Sequence, residues 1–450
     1  MDRYDLVIIG AGPAGEAAAF AARKRGASVA VIDRDLFGGA CPFFACMPSK
    51  SLLHSAAVHA AGGDYPWPKA SARRDWMISR EEREYPDDSR HMIDLEAAGA
   101  VTIRGSARLD GPGRAVVTHD GVEHELEAGA VILAVGSRSK IPDMPGLTDV
   151  PYWTNREATG ARELPESLLV LGAGPTGVEL AQAYARFGVP VTLVVPGDRI
   201  LPRDHPRTSA AVAAGLERDG VTIRTRGRAV RAEAGAGTDG GHRFVLEDGG
   251  SVEGAAVLLA IGRTLPLDDL GLETVGVDAS SGRLAPDTRL RIAPRVFVAG
   301  DPAGPEMHTH VSHYQGEMAA RIALGDDVTP DFRAIPRAVY TDPETGSVGL
   351  LLEQAREQGI DAEEFTADLA TSAKGYAAEA AGHVTIVVDR AAGTLIGAFI
   401  AGPGASEAIH EAVLAVKLQT PLAVLADTIH AFPTVARVLG FLFAEAVERR

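Results

Sequence analysis

Residues Asp5–Gly15 read DLVIIGAGPAG, an apolar run that ends in three spaced glycines. The run predicts a buried strand, and the alanine-rich stretch Glu16–Arg25 behind it predicts a helix. Gly10, Gly12 and Gly15 have the G-x-G-x-x-G spacing. In such a turn the first glycine allows a tight bend, the second lets backbone approach a pyrophosphate, and the third lets the helix pack on the strand.

A second strand is predicted over Ala27–Ile32, and Asp33 follows it directly. An acid at this place accepts hydrogen bonds from the ribose of an adenosine. Strand, helix, strand and acid together therefore predict a complete βαβ dinucleotide-binding unit rather than an isolated structural turn.

The same fingerprint recurs in Ser167–Gly177, which reads SLLVLGAGPTG. A helix over Val178–Phe187 and a strand over Val189–Val195 are predicted to follow. Two copies in one chain indicate two different dinucleotides, or an electron path between them. The glycines of the second copy are Gly172, Gly174 and Gly177.

The second copy lacks the acid, because Val195 and Pro196 stand where its strand ends. Without a carboxylate to repel a 2'-phosphate, NADPH is permitted, and Arg199 or Arg203 is placed to meet that phosphate. NADH remains open.

Cys41 and Cys46 are the only two cysteines of the chain. Pro42 suits the first turn of a helix, which places the pair at a helix N-terminus. Unpaired amides there stabilise a thiolate, so we expect lowered pKa values and reactive thiols. Two small buried apolar residues in a reducing compartment are the alternative, whereas a structural zinc site would need further ligands.

The composition is that of a globular protein with two or three domains: 450 residues, 46% of them hydrophobic and 23% charged. The formal net charge of −16 argues against nucleic acid or an anionic membrane surface as a partner. No apolar run reaches the roughly 18 residues of a membrane span. The N-terminus carries no signal-peptide pattern, so a cytoplasmic location is expected.

Two further glycine motifs predict strands that return toward a nucleotide. Ala130–Ser137 reads AVILAVGS and holds Gly136, and Val257–Arg263 reads VLLAIGR and holds Gly262. The repetition suggests that each follows one dinucleotide unit. Gly136, Gly262 and the neighbouring Arg263 are therefore predicted to contact cofactor.

Val296–Asp301 reads VFVAGD and predicts a buried strand with an acid at its carboxyl end. Ligands of open α/β sheets bind at that end, so Asp301 is a candidate for a ribityl hydroxyl of a flavin, or a helix N-cap, or both. His308, His310 and His313 follow. Because no carboxylate or cysteine ligand is evident beside them, we expect hydrogen bonding on the flavin side or at a helix start, and no metal site.

The remaining segments carry no nucleotide motif. Residues 54–95 are predicted to form helices around a surface loop without chemistry. From Arg333 onward, strands and helices without glycine fingerprints predict a domain that serves assembly. Its predicted elements are strands at Ala338–Thr341, Val384–Asp389 and Thr394–Ala401, and helices at Ser406–Leu418 and Val435–Arg449.

With these motifs the chain resembles the flavoprotein disulfide reductases, the pyridine nucleotide-disulfide oxidoreductase family that includes dihydrolipoamide dehydrogenase, glutathione reductase and mercuric reductase. The resemblance covers nearly the whole length. It rests on GGACPFFACMPSK from Gly38, AVGSRSKIPDMPG from Ala134, GAGPTGVEL from Gly172, AIGRTLP from Ala260, VFVAGD from Val296 and AVYTDPETGSVG from Ala338.

The resemblance implies roles for particular residues. Cys46 would be the thiol beside the flavin and Cys41 the one that meets an external substrate. Lys50 would pair with Glu179 next to the flavin, and Gly39 would contact the cofactor. Hydride would pass from NAD(P)H to FAD, and electrons from FAD to a Cys41–Cys46 disulfide and then to an acceptor.

The resemblance also implies a fold. It predicts two Rossmann-like α/β domains and a C-terminal α+β dimerisation domain in a homodimer. The boundaries are an FAD domain at 1–147 and 271–332, an NAD(P) domain at 148–270, and an interface domain at 333–450.

The chain departs from the family at its C-terminal HPTxxE motif. Phe432 stands where the acid–base histidine belongs and Arg437 where its glutamate belongs. His430, two residues earlier, is the candidate replacement. We therefore expect an acceptor whose reduction needs no proton from this position: a quinone, a metal ion or a reactive small disulfide. A quinone reductase or transhydrogenase that bypasses the cysteines, and a flavin redox sensor without activity, are the alternatives.

Overall fold

The computed structural model describes residues 2–79 and 86–449. Its strands are β1 Asp2–Ile9, β2 Val29–Asp33, β3 Val101–Arg104, β4 Ser106–Leu109, β5 Arg114–His119, β6 Val122–Leu133, β7 Arg138–Ser139, β8 Tyr152–Trp153, β9 Leu168–Leu171, β10 Val191–Val194, β11 Thr222–Arg224, β12 Ala229–Glu233, β13 His242–Leu246, β14 Ser251–Gly254, β15 Ala256–Leu259, β16 Arg263–Thr264, β17 Arg291–Ala293, β18 Val296–Val298, β19 Arg337–Val339, β20 Thr345–Gly349, β21 Ala362–Asp368, β22 His383–Asp389 and β23 Thr394–Ala401.

The helices alternate with these strands over the first two thirds of the chain and cluster near its end. They are α1 Pro13–Lys24, α2 Ala40–Phe44, α3 Cys46–Ala60, α4 Trp67–Ser79, α5 Ser89–Ala97, α6 Asn155–Gly160, α7 Pro175–Arg186, α8 Pro206–Arg218, α9 Thr309–Ala323, α10 Leu352–Glu357, α11 Ala373–Ala378, α12 Ala405–Leu418, α13 Leu422–Ala426 and α14 Val435–Glu448.

The chain divides into two compact units. The first unit comprises Met1–Ser51, Ser71–Lys140 and Gly262–Asp331; the second comprises Leu52–Ala70, Ile141–Ile261 and Phe332–Arg450. The predicted domain boundaries stay a prediction beside this division.

A parallel sheet forms the centre of the first unit. Strand β1 lies between β2 and β6, with β3 beyond β2 and β18 beyond β6, all parallel. The apolar run of β1 is buried on both faces, as parallel sheets covered by helices require. Helix α1 packs against α9, and Gly316 makes their contact possible because a Cβ there would meet the Ala14 carbonyl oxygen at 2.1 Å.

The second unit repeats this arrangement around β9. Its parallel sheet has the order β11-β10-β9-β15-β8, and β9 begins the second glycine fingerprint just as β1 begins the first. Tyr184 of α7 is fully buried, and its hydroxyl donates to the Ala158 carbonyl at 2.6 Å, so its polar end is satisfied.

A second sheet of this unit lies in the C-terminal part of the chain. It is antiparallel, with the order β19-β20-β23-β22-β21, and apolar residues of α12 and α14 form a common core with it. Parallel Rossmann-like sheets and a C-terminal α+β region confirm the predicted fold class.

Gly15→Ala is expected to destabilise the first unit, because its Cβ would lie 1.9 Å from the Gly10 carbonyl oxygen. Such overpacking costs about 1–3 kcal/mol. Thermal unfolding of the nucleotide-free protein, followed by circular dichroism, measures the loss as a lower Tm.

Gly12→Ala is the matched control. Gly12 has φ −73°, which any residue adopts, and the nearest atom to an added Cβ is 3.9 Å away. Its Tm should equal that of the unmodified protein. Equal losses in both variants would contradict the packing explanation.

Candidate functional site

The two cysteines begin two successive helices. Cys41 lies in the first turn of α2, and Cys46 is the first residue of α3. The sequence predicts one helix N-terminus for both, which is wrong: the chain breaks at Ala45, whose φ and ψ of −128° and −94° are not helical. Each sulfur therefore stands at the start of its own helix.

Thr309, the first residue of α9, joins the two sulfurs. Its Oγ1 lies 3.2 Å from the Cys46 Sγ and 3.3 Å from the Cys41 Sγ. Both cysteines are half-buried thiols without a disulfide. Sequence reasoning missed Thr309, because it lies 263 residues beyond Cys46 and belongs to no motif that was recognised.

The pKa values of the two thiols shift in opposite directions, so the prediction that both are lowered is wrong for Cys41. A hydrogen bond from Cys41, helped by Thr309 and by the positive charge of Lys50, lowers the pKa of Cys46 to about 6 against the effect of burial. The hydrogen bond that Cys41 gives to Cys46 raises the pKa of Cys41, as does burial. At neutral pH the pair is a Cys46 thiolate beside a Cys41 thiol, which is a nucleophile with its proton donor adjacent.

The turn before Cys41 lies on the N-terminus of α1. Gly39 has φ +67°, and a Cβ there would meet the Gly12 Cα at 2.8 Å. The absence of a side chain at Gly39 thus permits the two backbones to approach closely, so that the helix start that suits a pyrophosphate is directly beside the turn that carries the thiols.

Two backbone amides hold the Asp33 carboxylate in place. Its Oδ2 accepts from the Ala11 amide at 2.7 Å and its Oδ1 from the Asp35 amide at 2.8 Å. Burial raises the pKa of Asp33, and these two hydrogen bonds oppose that effect. Each oxygen keeps a further lone pair, so the residues present fit the adenosine half of FAD.

Asp301 belongs to a polar group rather than to a strand. The strand ends at Val298, and Asp301 begins a short 3-10 helix whose N-cap is Gly300, so the prediction of Asp301 as an N-cap is wrong. Its Oδ2 accepts from the Ser137 hydroxyl, and the Arg263 Nε lies 3.7 Å from the same oxygen.

Gly136 and Gly262 flank the small antiparallel ribbon of β7 and β16. The ribbon pairs Ser139 with Arg263, and the Arg263 Nη2 donates to the Ser137 carbonyl at 2.9 Å. The two predicted glycine motifs are therefore brought together next to Asp301, within the first unit.

The second fingerprint has the geometry of the first. A Cβ at Gly177 would meet the Gly172 carbonyl oxygen at 2.0 Å, while Gly174 has open space around it. Arg199 does not extend from the strand end: its guanidinium donates to the carbonyls of Asp204 at 3.0 Å and Pro202 at 2.9 Å. Those hydrogen bonds hold the loop after β10.

Glu179 and Lys50 occupy different units. Glu179 is buried in α7, and its Oε1 accepts from the Tyr340 amide at 3.1 Å. Lys50 lies in α3, and its Nζ donates to the Ser49 hydroxyl at 3.4 Å. The ion pair between them stays a prediction.

The residues at which the chain departs from the family's C-terminal motif lie on the loop before α14 and in the first turn of α14. The His430 side chain is 4% exposed, and its Nε2 lies 2.7 Å from Glu411 Oε1. Its Nδ1 has no partner among the described residues and lies where a Cβ on Gly440 would contact it. Phe432 is 74% exposed, and Arg437 stacks its guanidinium on the Phe441 ring at 4.4 Å.

The histidines after Asp301 surround the start of α9. His308 occupies the N-cap position of α9 without a side-chain capping hydrogen bond. Its Nε2 lies 3.0 Å from Glu306 Oε2, and its ring stacks on that of His310 at 5.1 Å. Among residues 2–79 and 86–449, no three His, Cys, Asp or Glu residues are grouped to hold a metal ion.

Two family models match the chain. The model of the pyridine nucleotide-disulphide oxidoreductases matches residues 4–316, and the model of their dimerisation domain matches residues 335–440. Within the part of the chain that the structure describes, no helix has the length and apolar character to cross a membrane.

Individual proteins match over nearly full length. A dihydrolipoyl dehydrogenase of Halobacterium salinarum is 33% identical, over 96% of this chain and 94% of its own. A mercuric reductase of Streptomyces lividans is 33% identical, over 97% of this chain and 94% of its own.

Solved structures of two proteins are also similar to this chain over nearly its full length. LpdA of Mycobacterium tuberculosis has 28% identity and a TM-score of 0.86, covering 99% of both chains. The Cu(II) complex of the HOCl-induced flavoprotein disulfide reductase RclA of Escherichia coli has 25% identity and a TM-score of 0.86, covering 99% of this chain and 100% of that one. The resemblance seen in the sequence is thereby confirmed: the chain belongs to the pyridine nucleotide-disulphide oxidoreductases, a family of oxidoreductases that use FAD and NAD(P)H, and its dimerisation domain supports a homodimer.

Proposed function

We propose that the protein passes electrons from NAD(P)H through FAD to Cys41 and Cys46, and that the reduced pair then reduces a soft metal ion. The observation that carries the proposal is the Cys46 thiolate beside the Cys41 thiol, both within reach of the Thr309 hydroxyl. FAD supplies the step that takes a hydride and gives electrons to sulfur.

Because the pKa values of the two thiols differ, the proposal gives the two sulfurs different roles. Cys46 keeps its negative charge above a pH of about 6, which suits the sulfur that interacts with an electron-poor flavin. Cys41 keeps its proton and is the sulfur that meets the acceptor. In this proposal Lys50 and Glu179 form the ion pair beside the flavin, Asp301 binds the ribityl chain, and the three predicted domains hold these parts.

Reduction of an ordinary disulfide is disfavoured by the C-terminal motif. A leaving thiolate needs a proton, and neither Phe432 nor Arg437 can supply one at neutral pH. His430 is a poor replacement, since Glu411 engages its Nε2 and its side chain is only 4% exposed. We therefore assign His430 and Glu411 to holding the loop before α14.

Reduction of a metal ion avoids this requirement. Two Cu(II) ions would take one electron each from the pair and become Cu(I), while the Cys46 thiolate and the Cys41 thiol form a disulfide and the single proton of Cys41 passes to water. Nothing has to protonate a leaving group. Thiolates are preferred ligands of soft ions, and the net charge of −16 attracts cations.

The names of similar proteins support the same class of acceptor. One relative is named a mercuric reductase, and RclA is described as a Cu(II) complex. Because this chain has no cysteine beyond Cys46, it lacks further thiols with which to pass mercury along. Copper is the metal we would test first.

Anaerobic titration with NADPH, and separately with NADH, is expected to produce a long-wavelength flavin band after two electrons. The Cys46 thiolate gives rise to it, so Cys46→Ser should bleach to reduced flavin without the band. A band that survives in this variant would remove the cysteines from the electron path. A flavin that neither nucleotide reduces would point to a redox sensor.

Steady-state assays with Cu(II), a quinone and lipoamide identify the acceptor. We expect NAD(P)H-dependent Cu(II) reduction that falls at least a hundredfold in Cys41→Ser, because the second sulfur is then missing. Full quinone turnover by Cys41→Ser, with no copper activity in the unmodified protein, would favour a quinone reductase instead.

Restoring the motif should restore disulfide reduction. The double variant Phe432→His with Arg437→Glu is expected to raise lipoamide turnover by about 10²-fold or more, the contribution of a placed acid–base group. Cu(II) reduction should not change. Phe432→Leu with Arg437→Gln is the matched control, and an equal gain there would contradict the acid–base explanation.

Thr309→Val should raise the pKa of Cys46, because a hydrogen bond to a charged group is lost. The expected result is about tenfold slower alkylation of the reduced protein at pH 5. Thr309→Ser keeps the hydroxyl and should react as the unmodified protein does. Identical pH profiles for the valine and serine variants would show that the hydroxyl does not act on the thiolate.

A further inference from the structure

A histidine from α5 reaches the nucleotide-binding helix. The His91 Nδ1 lies 2.7 Å from Glu16 Oε1, and the two side chains are 31% and 14% exposed. Glu16 stands in the first turn of α1, next to the last glycine of the first fingerprint. The segment to which the sequence assigns no chemistry thus contributes an ionisable side chain to this helix.

The same ring covers the turn that leads to the cysteines. A Cβ on Gly38 would lie 2.7 Å from the His91 ring, and the ring meets Phe43 edge-on at 5.6 Å. His91 therefore touches the turn, α2 and α1 at once.

The start of α5 is fixed to the same turn. Asp88 Oδ2 accepts from the Phe37 amide at 2.8 Å and from the Arg104 Nη2 at 2.6 Å. The Arg104 guanidinium lies over the Phe37 ring at 4.9 Å. These contacts hold His91 where it can reach Glu16.

A negative charge on Glu16 opposes the binding of an anion at the start of α1, and a positive charge on His91 compensates for it. The N-terminus of α1 offers its amides and dipole to the pyrophosphate of FAD, and a carboxylate in the same turn repels that anion. Glu16 is the partner of the His91 imidazole and raises its pKa, with a smaller effect from Asp88 and Asp94. Arg104, which faces Asp88 from β3, offsets part of that acidic charge.

We propose that His91 is a further binding determinant for FAD: its positive charge neutralises Glu16 at the helix that receives the pyrophosphate. The proposal rests on FAD binding, which the family provides, and is independent of the acceptor. Protonated His91 leaves the helix terminus free to attract the anion, and loss of the proton exposes the Glu16 charge.

The test measures the Kd of FAD for the full-length apoprotein by reconstitution, using flavin fluorescence at pH 7. His91→Gln is expected to raise the Kd about tenfold, the size of one uncompensated charge at this range. Glu16→Gln should bind FAD at least as tightly as the unmodified protein, and the double variant should regain nearly all the affinity. His124→Gln, an exposed histidine of β6, is the control and should change nothing.

If the contact between His91 and Glu16 only held the two helices together, the FAD affinities of the variants would differ from those expected above. Glu16→Gln would then weaken FAD as much as His91→Gln, and the double variant would not recover; that result overturns the proposal. Should His91→Gln fail to fold, the pH profile decides. The Kd of the unmodified protein should rise as pH increases through the raised pKa of His91, while that of Glu16→Gln stays level over the same range; a level profile for both also overturns it.

Discussion

The close approach of Gly12 and Gly39 is the constraint on which the first unit depends. Because Gly39 has no side chain, the turn that carries Cys41 lies directly on the start of α1. Any Cβ at Gly39 would push the turn that carries the thiols away from the start of α1, which is predicted to receive the pyrophosphate. A nucleotide site and a dithiol site are therefore parts of one backbone arrangement rather than two neighbours.

Helix α1 also determines the position of Thr309, the residue whose hydroxyl contacts both sulfurs. Gly316 lets α9 pack against Ala14, and the first residue of α9 is Thr309, whose hydroxyl reaches both sulfurs. One helix thus sets the positions of the thiols and of the hydroxyl that acts on them. The pKa of Cys46 is lowered first by the hydrogen bond from Cys41, and the packing of α9 on α1 adds the smaller effect of Thr309.

The sequence predicts the features that follow from local pattern. Both glycine fingerprints, the parallel sheets and the strand Thr394–Ala401 agree with the structure, because periodicity and glycine spacing are local properties. Thr309 and His91 could not be predicted, since each reaches the site through packing of helices distant in sequence. The break at Ala45 was also missed, because nothing in ACPFFACMPSK separates one helix from two.

The placement of protons is the reason why we propose a metal ion as the acceptor. The mobile proton of the dithiol belongs to Cys41, because its neighbour carries the charge. In the C-terminal region, His430 is committed to Glu411, and Phe432 presents only carbon to its surroundings. In the proposed function, the reduced dithiol would therefore be a site that gives electrons without a proton donor from these C-terminal positions. Chemistry that takes electrons and releases protons suits such a site better than chemistry that must protonate a leaving group.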